Sequence, residues 1–224
     1  SLRPTPMLSF AVRQLGCTAG IVITASHNPK EYNGYKVYWE DCAQITPPRD
    51  AEIIAEVNAV TDFAQARALT KEEALTKNLY RVIGEEVDDA YIEAVKSLAI
   101  HPEMIKEQAA KLKIVYTPLH GTGNIWVRRI LKELGFKNVY VVEQQEVPDG
   151  NFPTVSYPNP EDPRAFALAL ELAEGVGADL VLATDPDADR LGVYVRNSET
   201  GTYESFTGNT TGTILLDYIL SQKK

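Results

Sequence analysis

The sequence predicts an α/β fold in which mixed, largely parallel sheets are covered by helices. Short runs rich in Val, Ile and Leu, typical of buried strands, alternate with segments of helical periodicity. Glycine or proline stands at most of the junctions. Because a strand–helix–strand order places consecutive strands parallel in one sheet, the helices are expected to pack on the sheet faces.

Composition excludes two classes of partner. The 224 residues are 44% hydrophobic and 24% charged, as in ordinary globular proteins. A net charge of −9 argues against nucleic acid, which requires clustered Lys and Arg, but allows a local positive pocket for a small anion. The chain lacks any run of about 18 apolar residues, so no membrane partner is expected.

The opening residues and the cysteines bear on location. SLRPTPML does not resemble a secretory leader. Cys17 and Cys42 are the two cysteines, and so few thiols in a chain of this length are expected to stay reduced. The sequence therefore predicts a cytoplasmic protein.

A first domain is predicted over residues 1–87. Pro6 is expected in the first turn of a helix that Thr5 caps and Gly16 ends. TAGIVIT is predicted to be a buried strand and GYKVYW a second strand. Asn33-Gly34 is a typical hairpin turn, so the second strand is expected to fold back towards the first.

A second domain is predicted over residues 88–196, and a third begins at 197–224. The second domain alternates the strands KIVYTP, NVYVVE, ADLVLATD and LGVYVR with the helices GNIWVRRILKELG and AFALALELAEG. Residues 148–163 form a loop with five prolines, and loops of this length in compact domains are often functional. TGNTTGTILLDYIL is predicted to be a helix.

Three alternating carboxylates, Asp185, Asp187 and Asp189, follow the strand ADLVLATD. Ligands gather beyond the carboxyl ends of strands in α/β sheets. Side chains at alternate positions of a tight loop can converge on one cation, and oxygen-only ligands favour Mg²⁺, Mn²⁺ or Ca²⁺ over zinc. The loop therefore predicts a hard-cation site with open positions for phosphate.

Two other interpretations of this loop are weaker. An EF-hand loop needs Gly at its sixth position and Glu at its twelfth, where this chain has Arg190 and Arg196. A solvated acidic turn would not require a buried strand before it and an arginine directly after it.

Ser26, in TASHNP, ends the strand TAGIVIT. Alone, the serine is most simply a turn former beside Asn-Pro. With His27 beside it and Lys36 in the strand that folds back, it also suits nucleophilic phosphoryl transfer. The hydroxyl would carry the phosphoryl group, the ionisable side chains would move its proton, and a cation at the aspartate loop would neutralise charge. This chemistry requires the two loops to meet.

Four ordered motifs resemble the α-D-phosphohexomutases, the family of phosphoglucomutase and phosphomannomutase. They are TASHNPKEYNGYKVYW, TPLHGTGN, PDGNFP and ATDPDADRLGV. The resemblance extends over essentially the whole chain, and it implies a partial domain 1, a whole domain 2 and the start of domain 3.

The resemblance also implies roles for individual residues. Ser26 would be the phosphoserine, and a phosphoserine oxygen would join the three aspartates around one Mg²⁺. Lys36 would be the general acid or base, and His27 and Arg190 would flank the phosphoserine. The implied reaction interconverts sugar 1-phosphates and 6-phosphates through a glucose 1,6-bisphosphate-type intermediate.

His120 lies in TPLHGTG, a strand–loop–helix segment that resembles a phosphate cradle but lacks the GK[ST] ending of a P-loop. Its side chain could bind substrate phosphate or brace the cleft between domains. No catalytic role is expected for Asp149 of PDGNFP.

The family pattern also differs from this chain. The sugar-reading loop of domain 3 and the phosphate-gripping loop of domain 4 have no counterpart in the sequence. A fragment lacking most substrate recognition, and inactive without the remaining domains 3 and 4, is therefore expected. KVYWEDCAQITPP favours the phosphoglucomutase and phosphopentomutase branch, with phosphomannomutase as the alternative.

Two alternatives come from other classes. A haloacid-dehalogenase-type phosphatase also places Asp-x-Asp after a strand, but it needs later motifs for which little chain follows Asp189. A phosphosugar- or metal-binding module without turnover is the non-enzymatic alternative.

Overall fold

The computed structural model describes residues 2–32 and 34–222 and confirms the mixed α/β class. The helices are α1 (Thr5–Leu15), α2 (Arg49–Ala59), α3 (Lys71–Thr76), α4 (Glu85–Lys96), α5 (Pro102–Gln108), α6 (Gly123–Glu133), α7 (Glu143–Glu146), α8 (Ala167–Val176) and α9 (Gly208–Gln222). The strands are β1 (Ala19–Ile23), β2 (Tyr35–Trp39), β3 (Lys113–Thr117), β4 (Asn138–Val141), β5 (Leu180–Thr184), β6 (Leu191–Arg196) and β7 (Tyr203–Phe206). Short 3₁₀ turns occupy Phe63–Gln65 and Pro163–Phe166.

β1 and β2 form a two-stranded antiparallel sheet, in which Val22 lies opposite Lys36. The predicted turn residue Asn33 lies outside the described residues. The prediction of a buried strand for TAGIVIT is wrong, because Ile21 and Ile23 of β1 are 61% and 76% exposed. An apolar run identifies a strand but does not reveal what covers each face, and α1 packs against one face of this sheet.

The second sheet has the order β4-β3-β5-β6-β7. β3 pairs in parallel with both β4 and β5, as the strand–helix–strand pattern predicts. β5 and β6 are antiparallel, and so are β6 and β7. The loop between β5 and β6 covers only residues 185–190, which is too short for the crossover that a parallel partner needs. Parallel pairing is therefore confined to β3 and its two neighbours. The sheets are mixed, as predicted, but not largely parallel, because the other three pairings of the described strands are antiparallel.

The main core lies where α8 packs against β3. Small side chains on α8, including Ala169 and Ala173, are fully buried and let the helix approach Val115 and Val181 closely. Phe166 closes one side, with its ring centroid 4.6 Å from that of Tyr194. This rigid layer fixes the carboxyl ends of β3 and β5, from which the two loops of the second domain emerge.

The segment that begins at Leu2 packs against α4 and α6. Met7 of α1 packs with Ile92 and Trp126 in a smaller buried cluster. Arg3 lies over the Trp126 ring at 4.7 Å and donates hydrogen bonds of 2.8 and 2.7 Å to the two carboxylate oxygens of Asp88. α1 therefore bridges β1 and α4.

The ends of α1 agree with the sequence prediction at one end only. Gly16 ends α1 in the left-handed conformation, with φ 61°, as predicted. The prediction that Thr5 caps this helix is wrong, since Pro4 holds the cap position and the Thr5 hydroxyl bonds to Asp187 instead. β7 and α5 were not predicted, because both are short and largely polar.

The domain limits 1–87, 88–196 and 197–224 remain predictions, and α4 extends across the first of them. Across the described chain, none of the helices combines the length and the apolar character that crossing a bilayer requires.

Candidate active site

The serine loop after β1 and the aspartate loop after β5 meet in space. The Ser26 hydroxyl donates a 3.4 Å hydrogen bond to Oδ2 of Asp185, 159 positions away in the sequence. The Thr24 hydroxyl donates to Oδ2 of Asp187 at 3.3 Å. The Ser26 hydroxyl therefore faces the carboxylate cluster, and the two loops meet as the predicted chemistry requires.

Ser26 has the uncommon left-handed backbone conformation, with φ 54°. Its N–H donates a 2.8 Å hydrogen bond to the Thr24 hydroxyl oxygen, which holds the turn in place. The Ser26 hydroxyl oxygen also lies 3.2 Å from Nδ1 of His27. The loop thus aims the hydroxyl between an imidazole and a carboxylate.

His27 is suited to accept a proton. Burial lowers the pKa of its imidazole, and the positive charge of Arg190 lowers it further, against the opposing effect of Asp187 and Asp189. The imidazole is therefore neutral at pH 7. In the tautomer that carries its proton on Nε2, Nδ1 can accept the Ser26 hydroxyl hydrogen when that hydrogen turns from Asp185 to His27. Tyr157, from the long proline-rich loop, packs edge-on against the imidazole with ring centroids 5.7 Å apart.

The three aspartates converge as predicted. One carboxylate oxygen of each lies within 4.8 Å of the others. Asp185 and Asp187 are buried, and Asp189 is more exposed. Oδ1 of Asp185 accepts the backbone N–H groups of Asp189 and Arg190 at 3.1 and 3.0 Å. These bonds fold the loop back over Asp185 and bring the three side chains to one side.

The carboxylates repel each other, and their pKa values diverge. Burial raises the pKa of Asp185 to about 7, and the neighbouring Asp187 and Asp189 contribute in the same direction. Burial also acts to raise the pKa of Asp187, but hydrogen bonds led by the one from Lys36 lower it overall. One carboxylate of the pair therefore holds a proton more readily while the other stays ionised.

The donor set fits a hard cation. Oδ1 of Asp187 is buried and accepts no hydrogen bond from the part of the chain that the structure describes. A buried carboxylate oxygen without a partner is costly, and a bound cation would satisfy it. Oxygen ligands from Asp185, Asp187 and Asp189 match the preference of Mg²⁺, which usually keeps open positions for water and phosphate.

Lys36, on β2, reaches the same cluster from the other sheet. Its Nζ lies 2.8 Å from Oδ2 of Asp187 and 2.8 Å from Oδ2 of Asp189. Burial acts to lower the pKa of Lys36, but the hydrogen bonds to these two carboxylates outweigh it and raise the pKa. The side chain is therefore held as an ammonium ion beside these two carboxylates.

Arg190 lies at the edge of the site. Its side chain is 41% exposed, and Nη1 is 3.8 Å from Oε2 of Glu161 in the proline-rich loop. This position leaves the guanidinium open to an incoming anion.

His120 does not join the serine and aspartate cluster. It is 5% exposed, its Nε2 lies 2.8 Å from the Thr154 hydroxyl, and its Nδ1 lies 3.3 Å from the carbonyl of Val147. These contacts tie the loop after β3 to the proline-rich loop. Both partners lie within residues 88–196, so the contacts do not show the predicted brace across a cleft between domains, and a role in phosphate binding stays a prediction.

Two residues of the site were missed from sequence, Thr5 and Thr24, which both donate to Oδ2 of Asp187. Thr24 lies inside TASHNP, so its position in the motif was an available signal. Thr5 lies in a different segment from either loop, and the sequence holds no signal that separates it from an ordinary helix-capping threonine.

Family models match most of the chain. Residues 89–201 match the model described as phosphoglucomutase/phosphomannomutase, alpha/beta/alpha domain II, and residues 1–63 match domain I of the same family. The two matched ranges contain the serine loop and the aspartate loop.

Named relatives agree with this match. The chain is 41% identical over 218 residues to a phosphoglucomutase of Staphylococcus haemolyticus, covering 97% of this chain and 38% of the relative. It is 40% identical over 222 residues to a probable phosphomannomutase of Haemophilus influenzae, covering 98% of this chain and 43% of the relative. The chain thus spans about two fifths of the length of these relatives.

Among solved structures, a putative phosphomannomutase from Thermus thermophilus superposes with a TM-score of 0.74 at 27% identity. The match covers 99% of this chain and 45% of that one.

Proposed function

Because this chain belongs to the phosphoglucomutase/phosphomannomutase family, we propose that it provides the phosphoserine and magnesium half of a phosphosugar mutase. The observation that carries the proposal is the hydroxyl of Ser26, held between Nδ1 of His27 at 3.2 Å and Oδ2 of Asp185 at 3.4 Å. A serine placed against both a base and a cation site is equipped to accept and return a phosphoryl group. Family membership also argues against the haloacid-dehalogenase alternative.

The proposed reaction is written starting from a sugar bisphosphate and the free Ser26 hydroxyl. The Ser26 hydroxyl oxygen forms a bond to phosphorus while its proton passes to Nδ1 of His27. The bond from phosphorus to the sugar oxygen breaks, and that oxygen takes a proton from the Lys36 ammonium. Arg190, at the edge of the site, would bind the second phosphate.

The opposite half-reaction reverses these transfers. Lys36, now an amine, takes the proton of a sugar hydroxyl as that oxygen bonds to phosphorus. The bond from phosphorus to the Ser26 oxygen breaks, and the imidazolium of His27 returns its proton to that oxygen. Mg²⁺ held by Asp185, Asp187 and Asp189 would neutralise charge on the phosphoryl oxygens. If the bisphosphate turns round between the two half-reactions, sugar 1-phosphate and 6-phosphate interconvert.

The proposed substrate is a glucose phosphate. KVYWEDCAQITPP supports the phosphoglucomutase and phosphopentomutase branch. Relatives named phosphoglucomutase and probable phosphomannomutase have nearly equal identity to the chain, 41% and 40%, so identity alone does not separate the sugars. A mannose or pentose phosphate is the alternative within the family.

We also propose that these 224 residues do not turn over alone. The relatives are more than twice as long as the matched region, and the sugar-reading and distal phosphate-binding parts of the family, domains 3 and 4, would be the required partners. The reduced cysteines and the phosphosugar substrate support a cytoplasmic location.

The test is phosphate mapping after incubation with glucose 1,6-bisphosphate and Mg²⁺. Mass spectrometry of the 18–36 peptide should find acid-stable phosphate on Ser26 and none in Ser26→Ala. A coupled assay for glucose 6-phosphate formation should remain at background for the chain alone. Hydroxylamine-labile phosphate on Asp185, or no phosphate on the protein, would overturn the assignment of Ser26. Full turnover would overturn the requirement for further domains.

A further inference from the structure

We propose that Thr5 is a positioning residue of the cation site, which fixes Asp187 so that its Oδ1 faces the cation. This inference rests on the proposed function, because it needs a cation at the aspartate loop. Thr5 lies 182 positions from Asp187 in the sequence, yet its hydroxyl donates a 3.1 Å hydrogen bond to Oδ2 of that residue. Both residues are buried, with 2% and 3% exposure.

Thr5 holds the backbone of Asp187 as well as its side chain. The N–H of Thr5 donates a 2.8 Å hydrogen bond to the Asp187 carbonyl oxygen. Thr5 is the first residue of α1, and the N–H groups of a first helical turn have no partner within the helix. The positive end of the 11-residue helix thus lies against the aspartate loop and favours an ionised carboxylate there.

The two oxygens of Asp187 have different surroundings. Oδ2 accepts hydrogen bonds from Thr5, Thr24 and Lys36. Oδ1 is buried, and the described residues offer it no donor. Because these three donors occupy Oδ2 of Asp187, Oδ1 is the oxygen left to coordinate a cation. The donors to Oδ2 therefore set the direction from which Asp187 coordinates.

Thr5 is the most constant of these three donors. Lys36 shares its ammonium with Asp189 and exchanges protons in the proposed reaction. Thr24 donates over a longer distance, 3.3 Å, and belongs to the loop that carries the nucleophile. Thr5 instead sits on a packed helix, and within the described chain it alone bonds to both the backbone and the carboxylate of Asp187.

The support beneath Thr5 is rigid. A Cβ added at Gly20 of β1 would lie 2.6 Å from Cγ2 of Val12, so α1 approaches that strand as closely as glycine allows. Arg3, two residues before Thr5, is held by Asp88 and Trp126. If the Asp187 carboxylate rotates, its hydrogen bond from Thr5 on the closely packed helix α1 must therefore break.

The test compares Mg²⁺ binding by isothermal titration calorimetry in variants at position 5. Thr5→Val keeps the branched shape and the N–H but removes the hydroxyl, and it should weaken Mg²⁺ binding about tenfold, as expected for one buried hydrogen bond. Thr5→Ser keeps the hydroxyl and should bind within about twofold of wild type. Ser9→Ala removes a hydroxyl from the same helix that bonds to Cys42, so it should leave Mg²⁺ binding unchanged.

Each outcome decides between the two claims. Wild-type affinity in a folded Thr5→Val would overturn the role of Thr5 and leave the cation site standing. If neither the wild type nor Asp187→Asn binds Mg²⁺, both the cation site and the role of Thr5 are overturned. Should Thr5→Val not fold, Thr5→Ala against Thr5→Ser isolates the hydroxyl, and equal affinities in that pair would contradict the inference.

Discussion

The ammonium of Lys36 lies 2.8 Å from Oδ2 of Asp187, across the junction of the two sheets. Lys36 comes from β2 and Asp187 from the loop after β5, so the contact joins the serine-bearing sheet to the aspartate loop. The same ammonium contacts Asp189 at 2.8 Å. Lys36 therefore supplies positive charge to the clustered carboxylates.

Replacing Lys36 with Met should destabilise the cation-free chain by about 2–3 kcal/mol, because two partly buried carboxylates lose their counter-charge. Saturating Mg²⁺ should restore part of that loss by binding the same carboxylates. Urea denaturation with EDTA or Mg²⁺ measures both effects.

Lys96 offers a matched control, since it also bridges two carboxylates, Glu93 at 2.7 Å and Glu133 at 3.1 Å, but on the exposed surface. Lys96→Met should change stability much less than Lys36→Met and show no Mg²⁺ dependence. Equal losses in both variants would mean that the Lys36 cluster is an ordinary surface ion pair.

The stability of the cation-free chain should depend on Asp185. Its folded-state pKa of about 7 lies above the ordinary value of 3.8. Between these values the folded state binds a proton that the unfolded state does not, so this contribution to stability is full below about pH 4 and is lost as pH rises through 7. Denaturation in EDTA from pH 5 to 8 should show wild type losing stability relative to Asp185→Asn.

Mg²⁺ should reverse this trend, because it binds the ionised carboxylate and therefore stabilises the chain more at pH 8 than at pH 5. A constant difference between wild type and Asp185→Asn across this range would show that Asp185 does not titrate there.

His27 and His101 should titrate in a defined order. Burial and the nearby Arg190 place the pKa of His27 below 6.5, whereas hydrogen bonds with Gln222 and Glu103 place that of His101 above 6.5. NMR titration of the imidazole protons measures both values. Arg190→Ala should raise the pKa of His27 and leave His101 unchanged, and the reverse order of the two histidines would remove His27 as the proton acceptor for Ser26.

Glycine at position 121 is required by close packing against the aspartate loop. A Cβ at Gly121 would lie 2.5 Å from the carbonyl oxygen of Pro186, which also accepts the N–H of Thr122. Gly121→Ala should therefore displace Pro186, lower stability by roughly 2–3 kcal/mol and weaken Mg²⁺ binding.

Gly175 is the control for Gly121. It is exposed in α8, and a Cβ there meets no described atom within 4 Å. Gly175→Ala should raise stability by roughly 0.5–1 kcal/mol, because alanine favours the helix. Thermal and urea denaturation of the two variants should therefore shift in opposite directions, and a shift in the same direction would contradict the packing described.

The sequence alone predicts those parts of the candidate site whose residues lie close together in the chain. Asp185, Asp187 and Asp189 are close in the chain, so their spacing alone predicts a cluster, and a tight turn after a buried strand delivers it. Ser26 was a candidate because TASHNP places a hydroxyl beside an ionisable side chain at a strand end, and the structure places that hydroxyl against Asp185.

Tertiary packing decides what the sequence did not show. Thr5 contacts Asp187 only because α1 packs against both β1 and α4. From the sequence alone, a threonine at the start of a helix is equally expected to be a cap. Likewise, β1 is apolar, yet Ile23 is 76% exposed, because burial depends on neighbours that the run itself does not encode. The antiparallel pairing of β5 with β6 follows from the length of the loop between them rather than from the composition of the strands.

We propose that the aspartate loop and the Ser26 hydroxyl share one cation site. Anomalous diffraction from crystals of the chain grown with Mn²⁺ tests it directly. One peak is expected roughly 2.0–2.6 Å from oxygens of Asp185, Asp187 and Asp189, on the side that Ser26 faces. A peak elsewhere on the molecule, or a manganese ion at the aspartates with Ser26 turned away beyond the reach of a bridging phosphate, would contradict the account.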